Sequence, residues 1–177
     1  MSPRPAPDLD QRRDQITRAA RAVAEADGWG AVTMRRLASE LGVTQPVLYS
    51  AFAGGRQALI DAVALDGFVA IADALEAVAP EPMARMRAYL EFALARPQVY
   101  EAMFDMPSGL EFGGGEGPEP LRRAFAAISA AFPDGDVTAA EVAWATVHGL
   151  ATLQISRRLP EVRAEARLDY AHDAFTR

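Results

Sequence analysis

Apolar residues recur every three or four positions along most of the chain, the spacing that places them on one face of an α-helix. In the stretch 9–27, for example, Ile16, Ala20 and Val23 form such a stripe, and arginines occupy several positions between them. No segment shows the strict alternation of a half-buried strand. The pattern therefore predicts an all-α protein. The longer predicted helices cover residues 9–27, 56–79, 83–95, 119–132, 138–159 and 161–175, and a short helix starts at Arg96-Pro97.

Residues 33–52 combine two shorter helical patterns around a glycine. Thr33 and Thr44 stand where a hydroxyl can cap the N-terminus of each helix, and Gly42 supplies a left-handed turn residue between them. Pro46 is tolerated in the first turn of the second helix, where its missing N–H would have had no intrahelical partner. The pattern is typical of a helix-turn-helix, whose second helix, here residues 45–51, enters the major groove of DNA.

This segment, continued to Ile60, resembles the N-terminal domain of the TetR family of transcriptional repressors. The residues that carry the resemblance are Thr33, Ala38, Gly42, Val43, Leu48, Tyr49, Phe52, Arg56 and Leu59. The chain departs from the family pattern at Arg56, where the family has lysine, and at Ala51, where a larger residue would offer a further DNA contact. We predict these DNA-binding residues in the motif: Thr33, Met34, Arg35, Thr44, Gln45, Pro46, Tyr49, Ser50 and Arg56.

Within that set we expect two kinds of contact. Thr33, Tyr49 and Arg56 are predicted to bind phosphates and so to position the protein on the duplex. Gln45 is predicted to read a base, because a glutamine amide can pair with both N6 and N7 of adenine. Secondary base contacts are predicted for Thr44, Pro46 and Ser50.

The C-terminal half resembles one class of TetR-type C-terminal domains. The pattern consists of Arg96-Pro97 followed by Tyr100 and Met103-Phe104, and later of Trp144 followed by His148-Gly149. This class carries a Trp…His-Gly signature in the helix that leads to the dimer interface. The helical patterns predict a three-helix DNA-binding domain over residues 8–55. The resemblance implies about nine helices in all, with residues 56–177 as a ligand-binding and dimerisation domain. It further implies a homodimer in which the last two long helices form a four-helix bundle.

The charges are unevenly distributed along the chain, although the formal net charge is −6. Residues 1–56 hold 8 arginines and 6 acidic residues, whereas residues 57–177 hold 10 arginines and 18 acidic residues. The motif-bearing part is therefore the only basic part, which suits a surface that meets DNA phosphates. The acidic remainder favours a neutral or cationic ligand over an anionic one.

The rest of the composition bears on location and chemistry. The chain has no cysteine, so a disulfide framework and thiol chemistry are excluded. We see no signal peptide and no run of about 18 apolar residues that would span a membrane, and we expect a cytoplasmic protein. Residues 1–7 are expected to form a disordered tail, and the glycine-rich segment 106–118 a mobile loop that could admit a ligand.

The second half contains more methionine and aromatic residues than a small core needs, which favours a pocket for a small apolar effector. The candidate ligand contacts are Phe68, Met86, Tyr89, Phe92, Met103, Phe104, Phe125, Trp144 and His148. A hydrogen-bonded core histidine is the alternative interpretation of His148. Two isolated histidines and no cysteine make a metal site improbable, and we expect no cofactor.

Three functional hypotheses follow. The leading one is a homodimeric repressor that binds a pseudo-palindromic operator in double-stranded DNA and is released by an effector. The second is a helix-turn-helix regulator that acts constitutively, without a ligand. The third is a small all-α enzyme or carrier that uses the C-terminal cavity; the lack of any acid–base pair, nucleophile arrangement or nucleotide motif argues against it, and we expect no enzymatic activity.

Overall fold

The computed structural model describes residues 8–108, 110, 117–132 and 136–175, and in these residues it shows nine α-helices, two 3₁₀ turns and no strand. The prediction of an all-α fold is confirmed. The 3₁₀ turns are Trp29–Ala31 and Glu161–Arg163. The α-helices, in chain order, are α1 (Leu9–Asp27), α2 (Met34–Glu40), α3 (Gln45–Ala51), α4 (Gly55–Glu76), α5 (Pro82–Ala95), α6 (Pro97–Phe104), α7 (Glu119–Ser129), α8 (Val137–Ile155) and α9 (Ala164–Phe175).

Several helices of the C-terminal half end before the apolar pattern does. Helix α8 was predicted to run to residue 159, but it stops at Ile155 because Arg157 takes a left-handed conformation, with φ of 57°. The N–H of Arg158 then donates to the carbonyl of Leu153, at 2.9 Å, and closes the helix. Helices α4 and α7 likewise end three residues earlier than predicted, at Glu76 and Ser129.

Two predicted segments fall mostly or wholly outside the described residues. They are the N-terminal tail, residues 1–7, and the glycine-rich segment 106–118, of which residues 109 and 111–116 are not described. Their predicted mobility stays a prediction.

None of the described helices is both long enough and apolar enough to cross a membrane.

The chain divides into two compact units, and neither is a single stretch of sequence. The first takes in the chain up to Ala64 together with the segment 98–109, and the second takes in Leu65–Pro97 and the chain from Leu110 onward. Helix α6 therefore belongs with the N-terminal helices, which the sequence did not indicate. The predicted domain boundary between residues 55 and 56 stays a prediction.

The first unit has an apolar core to which α1, α2, α3, the start of α4 and α6 all contribute. Its fully buried side chains include Ile16 of α1, Leu37 of α2, Leu48 of α3, Leu59 of α4 and Tyr100 of α6. Trp29, in the 3₁₀ turn after α1, is buried as well. Each helix buries one apolar stripe, so burial of these stripes holds the short helices α2 and α3 in place.

In the second unit α5 packs against both α8 and α9, and α7 packs against α8. Ile71 and Leu75 of α4, Tyr89 and Phe92 of α5, and Val147 of α8 are buried here. Helix α8 places small residues along its buried side, Ala140, Ala143 and Ala151, each no more than 2% exposed. Small side chains let a neighbouring helix approach closely, and here that neighbour is α5.

Helix α6 is attached to α1 by polar contacts at its N-terminus. The carboxylate of Glu25 accepts from the backbone N–H of Val99 at 3.0 Å and of Gln98 at 3.3 Å. The indole N–H of Trp29 donates to the carbonyl of Gln98 at 2.8 Å. Because the first N–H groups of a helix have no intrahelical acceptor and carry partial positive charge, a carboxylate from another helix satisfies and stabilises them.

We therefore predict that Glu25→Gln loosens α6, because the amide keeps the shape of the side chain but loses its charge and one acceptor. The expected cost is about 1 kcal/mol of unfolding free energy. Amide hydrogen exchange at Gln98 and Val99 should be faster in the variant. Asp14→Asn, the same chemical change at an exposed position of α1, is the control. Equal exchange rates in the two variants would contradict the proposed attachment.

Candidate DNA-binding surface and C-terminal cavity

The turn between α2 and α3 has the geometry that its sequence predicts. The hydroxyl oxygen of Thr33 caps α2 by accepting from the N–H of Arg36 at 3.1 Å. Gly42 is left-handed, with φ of 64°, and the N–H of Val43 donates to the carbonyl of Ala38 at 2.9 Å. Thr44 is the N-cap residue of α3, but its hydroxyl makes no capping hydrogen bond, so its predicted capping role is wrong in this detail.

Helix α3 exposes the polar side chains that the sequence assigned to its outer face. Leu48 and Ala51 are buried on the inner face. Tyr49 is 48% exposed and lies against Gly55, at which an added Cβ would sit 3.3 Å from the tyrosine ring. The exposed residues of this surface are Thr44, Gln45, Pro46, Tyr49 and Ser50.

The hydroxyl of Ser50 is already engaged within the helix. It donates to the carbonyl of Val47 at 2.8 Å, so only its lone pairs remain for an outside partner. Gln45 has no hydrogen-bond partner among the described residues and is exposed at the first position of α3. Its amide therefore keeps both donor and acceptor groups for a base edge.

On α2 the structure separates two adjacent residues that were predicted to contact DNA. Arg35 is exposed and has no partner among the described residues. Met34 is only 7% exposed, because it shares the inner face of α2 with Leu37 and Ala38 at helical spacing. The Met34 side chain belongs to the core, so the prediction of a DNA contact through it is corrected.

Arg56 has a structural role that the sequence did not indicate. Its Nε donates to the carbonyl of Val32 at 3.0 Å and its Nη2 to the carbonyl of Trp29 at 2.8 Å, which ties the start of α4 to the segment before α2. Arg56 remains exposed, and Nη1 has no partner among the described residues. The predicted phosphate contact stays a prediction, now limited to the donors that the two carbonyls leave over.

Two further arginines support the motif from within. Arg13 of α1 donates to the carbonyl of Ala51 at 2.6 Å, and its guanidinium lies 4.5 Å from the ring centroid of Phe52. A cation at the C-terminus of α3 is favourable because the last carbonyls carry partial negative charge. Arg36 pairs with Glu40 and Asp27, and the hydrogen bonds that it donates to these carboxylates raise the pKa of Arg36.

The C-terminal unit contains a small cavity, with a volume of about 10 Å³. A space of this size holds about one water molecule. Its accessible wall is almost entirely apolar, although three residues with polar groups, Arg85, Tyr89 and Trp144, are among those that line it. The lining residues are Pro82, Arg85, Met86, Tyr89, Ile128, Phe132, Ala143, Trp144 and Val147.

A chain of polar contacts runs through the Tyr89 hydroxyl beside this cavity. The indole N–H of Trp144 donates to Tyr89 Oη at 3.1 Å, and Tyr89 Oη lies 3.4 Å from Nδ1 of His148. The rings of Phe125 and Trp144 meet edge to face, with centroids 6.0 Å apart. Trp144 and His148 therefore both contact the hydroxyl of Tyr89, and His148 has a hydrogen-bonding role.

The structure brings together only part of the predicted ligand set. Met86, Tyr89 and Trp144 line the cavity. Phe125 contacts the Trp144 ring and His148 lies beside the Tyr89 hydroxyl, but neither lines the cavity itself. Phe68 and Phe92 are buried without lining it. Met103 and Phe104 lie on α6, in the first unit, so they do not join this cavity.

Arg85 was absent from the prediction, because an arginine on a helix normally indicates a solvated position. It is 7% exposed, and its guanidinium donates through Nη1 to the carbonyl of Leu75 near the end of α4. Its Nε has no partner. Burial lowers the pKa of the Arg85 guanidinium, and the charge of Glu76 acts in the opposite direction. No local sequence signal distinguishes this arginine from its exposed neighbours.

Within the ranges that the structure describes, no three histidine or acidic side chains cluster in a way that could hold a metal ion.

Two family models match the chain and together cover most of it. Residues 16–63 match the bacterial regulatory proteins of the tetR family, and residues 83–175 match the tetracyclin repressor-like C-terminal domain. The chain belongs to the TetR family. It is therefore a DNA-binding transcriptional regulator, with α2 and α3 as its helix-turn-helix. The assignment of its C-terminal half to the Trp–His–Gly class stays a prediction.

Solved structures show the same fold. SCO4313 has a TM-score of 0.77 at 21% identity, over 99% of both chains. A protein of unknown function from Rhodococcus sp. RHA1 has a TM-score of 0.72 at 26% identity, over 99% of this chain and 97% of its own. A TetR variant from Acinetobacter baumannii AYE, in complex with minocycline, has a TM-score of 0.64 at 18% identity, over 90% and 91%. No curated protein is significantly similar to this TetR-family chain in sequence.

For this TetR-family chain we predict that Gln45→Ala weakens binding to its preferred operator by about 1–3 kcal/mol, the usual contribution of a bidentate base contact. Binding to random DNA should change little, since phosphate contacts supply that affinity. Both affinities can be measured by fluorescence anisotropy, with an operator selected from a random library. Gln15→Ala, at an exposed position of α1, is the matched control. Equal losses on both DNAs would remove Gln45 from base readout.

Proposed function

We propose that this protein is a homodimeric repressor that a small-molecule effector releases from a pseudo-palindromic operator. Two copies of α3 would occupy successive major grooves, and the effector would enter the C-terminal unit. The observation that carries the effector is the cavity beside Tyr89, in which a polar chain of Trp144, Tyr89 and His148 borders an apolar wall. An apolar site with a few convergent polar groups is the usual form of a small-molecule pocket.

The dimer is supported by apolar side chains that the last two helices leave exposed. On α8 they are Val142, which is 50% exposed, and Leu153, and on α9 the exposed Tyr170 is accompanied by Val162 of the preceding turn. On α8 the pair is separated by eleven residues, about three helical turns, so both lie on one face. A self-complementary face of this kind suits a two-fold partner, which buries the same residues of both copies.

The route from cavity to DNA in this proposal is α4. In the C-terminal unit Arg123 of α7 donates at 2.7 Å to Asp73 of α4, and it also donates to Glu76. The hydrogen bond from Arg123 lowers the pKa of Glu76. Helix α7 also supplies Ile128 to the cavity wall, so a ligand that moves α7 would pull on the end of α4. Helix α4 begins at Gly55, beside Arg56 and the helix-turn-helix. A tilt of α4 would therefore change the distance between the two copies of α3 in the dimer.

A constitutive regulator without effector is the second candidate, and the small volume of the cavity favours it. At about 10 Å³ the cavity must enlarge before it admits any organic molecule. Met86 in its wall makes enlargement inexpensive, because an unbranched thioether adapts to many shapes. The minocycline complex of the Acinetobacter baumannii TetR variant supports an effector by analogy of fold alone.

The dimer predicts a particle of twice the chain mass of 19.0 kDa in sedimentation at micromolar concentration. Val142→Glu should shift this particle toward the monomer and abolish high-affinity operator binding, because the introduced carboxylates would be buried opposite each other. Val69→Glu, the same change on α4 at a residue 38% exposed, should leave mass and affinity unchanged. A monomeric native protein, or a Val142→Glu dimer with full affinity, would refute the proposed interface.

The effector is tested by a thermal-shift screen of small apolar compounds, followed by operator release with each compound that stabilises the protein. A compound that binds the DNA-free form 100-fold better, a difference of about 2.7 kcal/mol, would empty the operator if the two forms were nearly balanced. Ala143→Val should fill the cavity, which holds about one water molecule, and abolish both effects, whereas Ala126→Val on the exposed side of α7 should not. Stabilising compounds that leave operator affinity unchanged would favour the constitutive regulator.

A further inference from the structure

A buried cation beside an apolar cavity needs an anionic partner, and Arg85 has none of its own. The residue is 7% exposed, and its single hydrogen bond among the described residues goes to the carbonyl of Leu75. A guanidinium carries five N–H donors, and here Nε is buried without any acceptor. The contact with the end of α4 uses only one of these donors, so helix capping does not account for the other N–H groups.

The nearest acidic group is already committed to another arginine. Glu76 contributes a favourable charge to Arg85, but its carboxylate accepts hydrogen bonds from Arg123 of α7. Asp73, the other acid on this end of α4, also accepts from Arg123. The ion pair around Arg123 is therefore complete. The Arg85 guanidinium is balanced only by the partial negative charge of a carbonyl in the last turn of α4 and by a carboxylate that it does not contact.

The cavity places an apolar compartment directly against this unsatisfied side chain. Arg85 is part of the cavity wall, and the rest of that wall is formed by Met86, Ile128, Phe132 and Val147, with the Tyr89 and Trp144 rings. A molecule that suits these surroundings has an apolar body and one compact anionic group. A carboxylate fits best, because its two oxygens match the fork of a guanidinium and form two parallel charge-assisted hydrogen bonds.

We propose that the effector is a small apolar carboxylate, with Arg85 as the residue that binds its anionic group. This inference rests on the proposed function in placing an effector in this cavity. It reverses the expectation that the 18 acidic residues of the C-terminal part disfavour an anionic ligand. Exposed acids are screened by water and salt, whereas a buried guanidinium beside the cavity is screened much less, so the local charge decides.

The test compares pairs of probes that differ only in charge. Phenylacetate and 4-methylpentanoate carry an aromatic and a branched aliphatic body, and phenylacetamide and 4-methylpentanamide are their neutral counterparts. Affinities of the full-length protein are measured by isothermal titration calorimetry. We expect each carboxylate to bind about 10- to 100-fold more tightly than its amide, the range of a charge-assisted hydrogen bond.

Two variants locate the carboxylate. Arg85→Gln should remove the preference of the protein for carboxylate over amide, and Arg85→Lys should keep part of it, because lysine retains the charge without the planar fork. Arg87→Gln is the matched control: it lies two residues away on α5 but is directed to Glu165, at 2.8 Å. Circular dichroism and thermal unfolding report whether each variant is folded, and the comparison of probes on the native protein needs no variant.

The inference is overturned if neither carboxylate binds, if the amides bind as tightly, or if Arg85→Gln binds the carboxylates like the native protein. Operator release separates this result from the proposed function. A carboxylate that binds through Arg85 but does not release the operator refutes the effector-controlled repressor and supports the carboxylate site at Arg85. Release of the operator by neutral compounds alone supports the repressor and overturns the carboxylate site at Arg85.

Discussion

Arginine side chains hold both ends of helix α4, its start in the first compact unit and its end in the second. At its start Arg56 donates to the carbonyls of Trp29 and Val32, which positions α4 against the segment before the helix-turn-helix. At its other end α4 receives Arg123 on two carboxylates and Arg85 on the carbonyl of Leu75. All 18 basic residues of the chain are arginines. A planar guanidinium can bond two acceptors at once, which a lysine ammonium does with less geometric definition.

The local parts of the fold were predictable because their causes lie within a few residues of each other. The Thr33 cap and the left-handed Gly42 follow from short-range chemistry, and the structure shows both. The bounds of α1 and α3 agree with the predicted ranges 9–27 and 45–51. Errors at the ends of α7 and α8 arose where apolar residues continue past the point at which the backbone turns, as it does at Arg157.

Contacts between distant parts of the sequence were not predictable, although they decide what the candidate sites can do. Glu25 and Gln98 are 73 residues apart, and no pattern in either segment indicates that a carboxylate of α1 caps α6. The same holds for Arg85. Its sequence context indicates a surface residue, whereas in the structure it donates to the carbonyl of Leu75 near the end of α4. Met34 illustrates the opposite case: it was predicted to contact DNA, whereas its side chain is buried in the core of the first unit.

In the proposed opening of the cavity, the packing of its wall and the buried guanidinium of Arg85 favour opposite conformations of the C-terminal unit. Closing the cavity keeps Met86 and Val147 in contact with their neighbours, which packing favours. The same closure leaves Arg85 Nε buried without an acceptor. A buried donor without a hydrogen bond costs free energy, so this term disfavours the closed form. A ligand shifts such a balance only by the difference in its affinity for the two forms. An anion that enters the enlarged cavity gains its strongest contact only in the open form, so the unsatisfied charge of the closed form would itself supply the coupling.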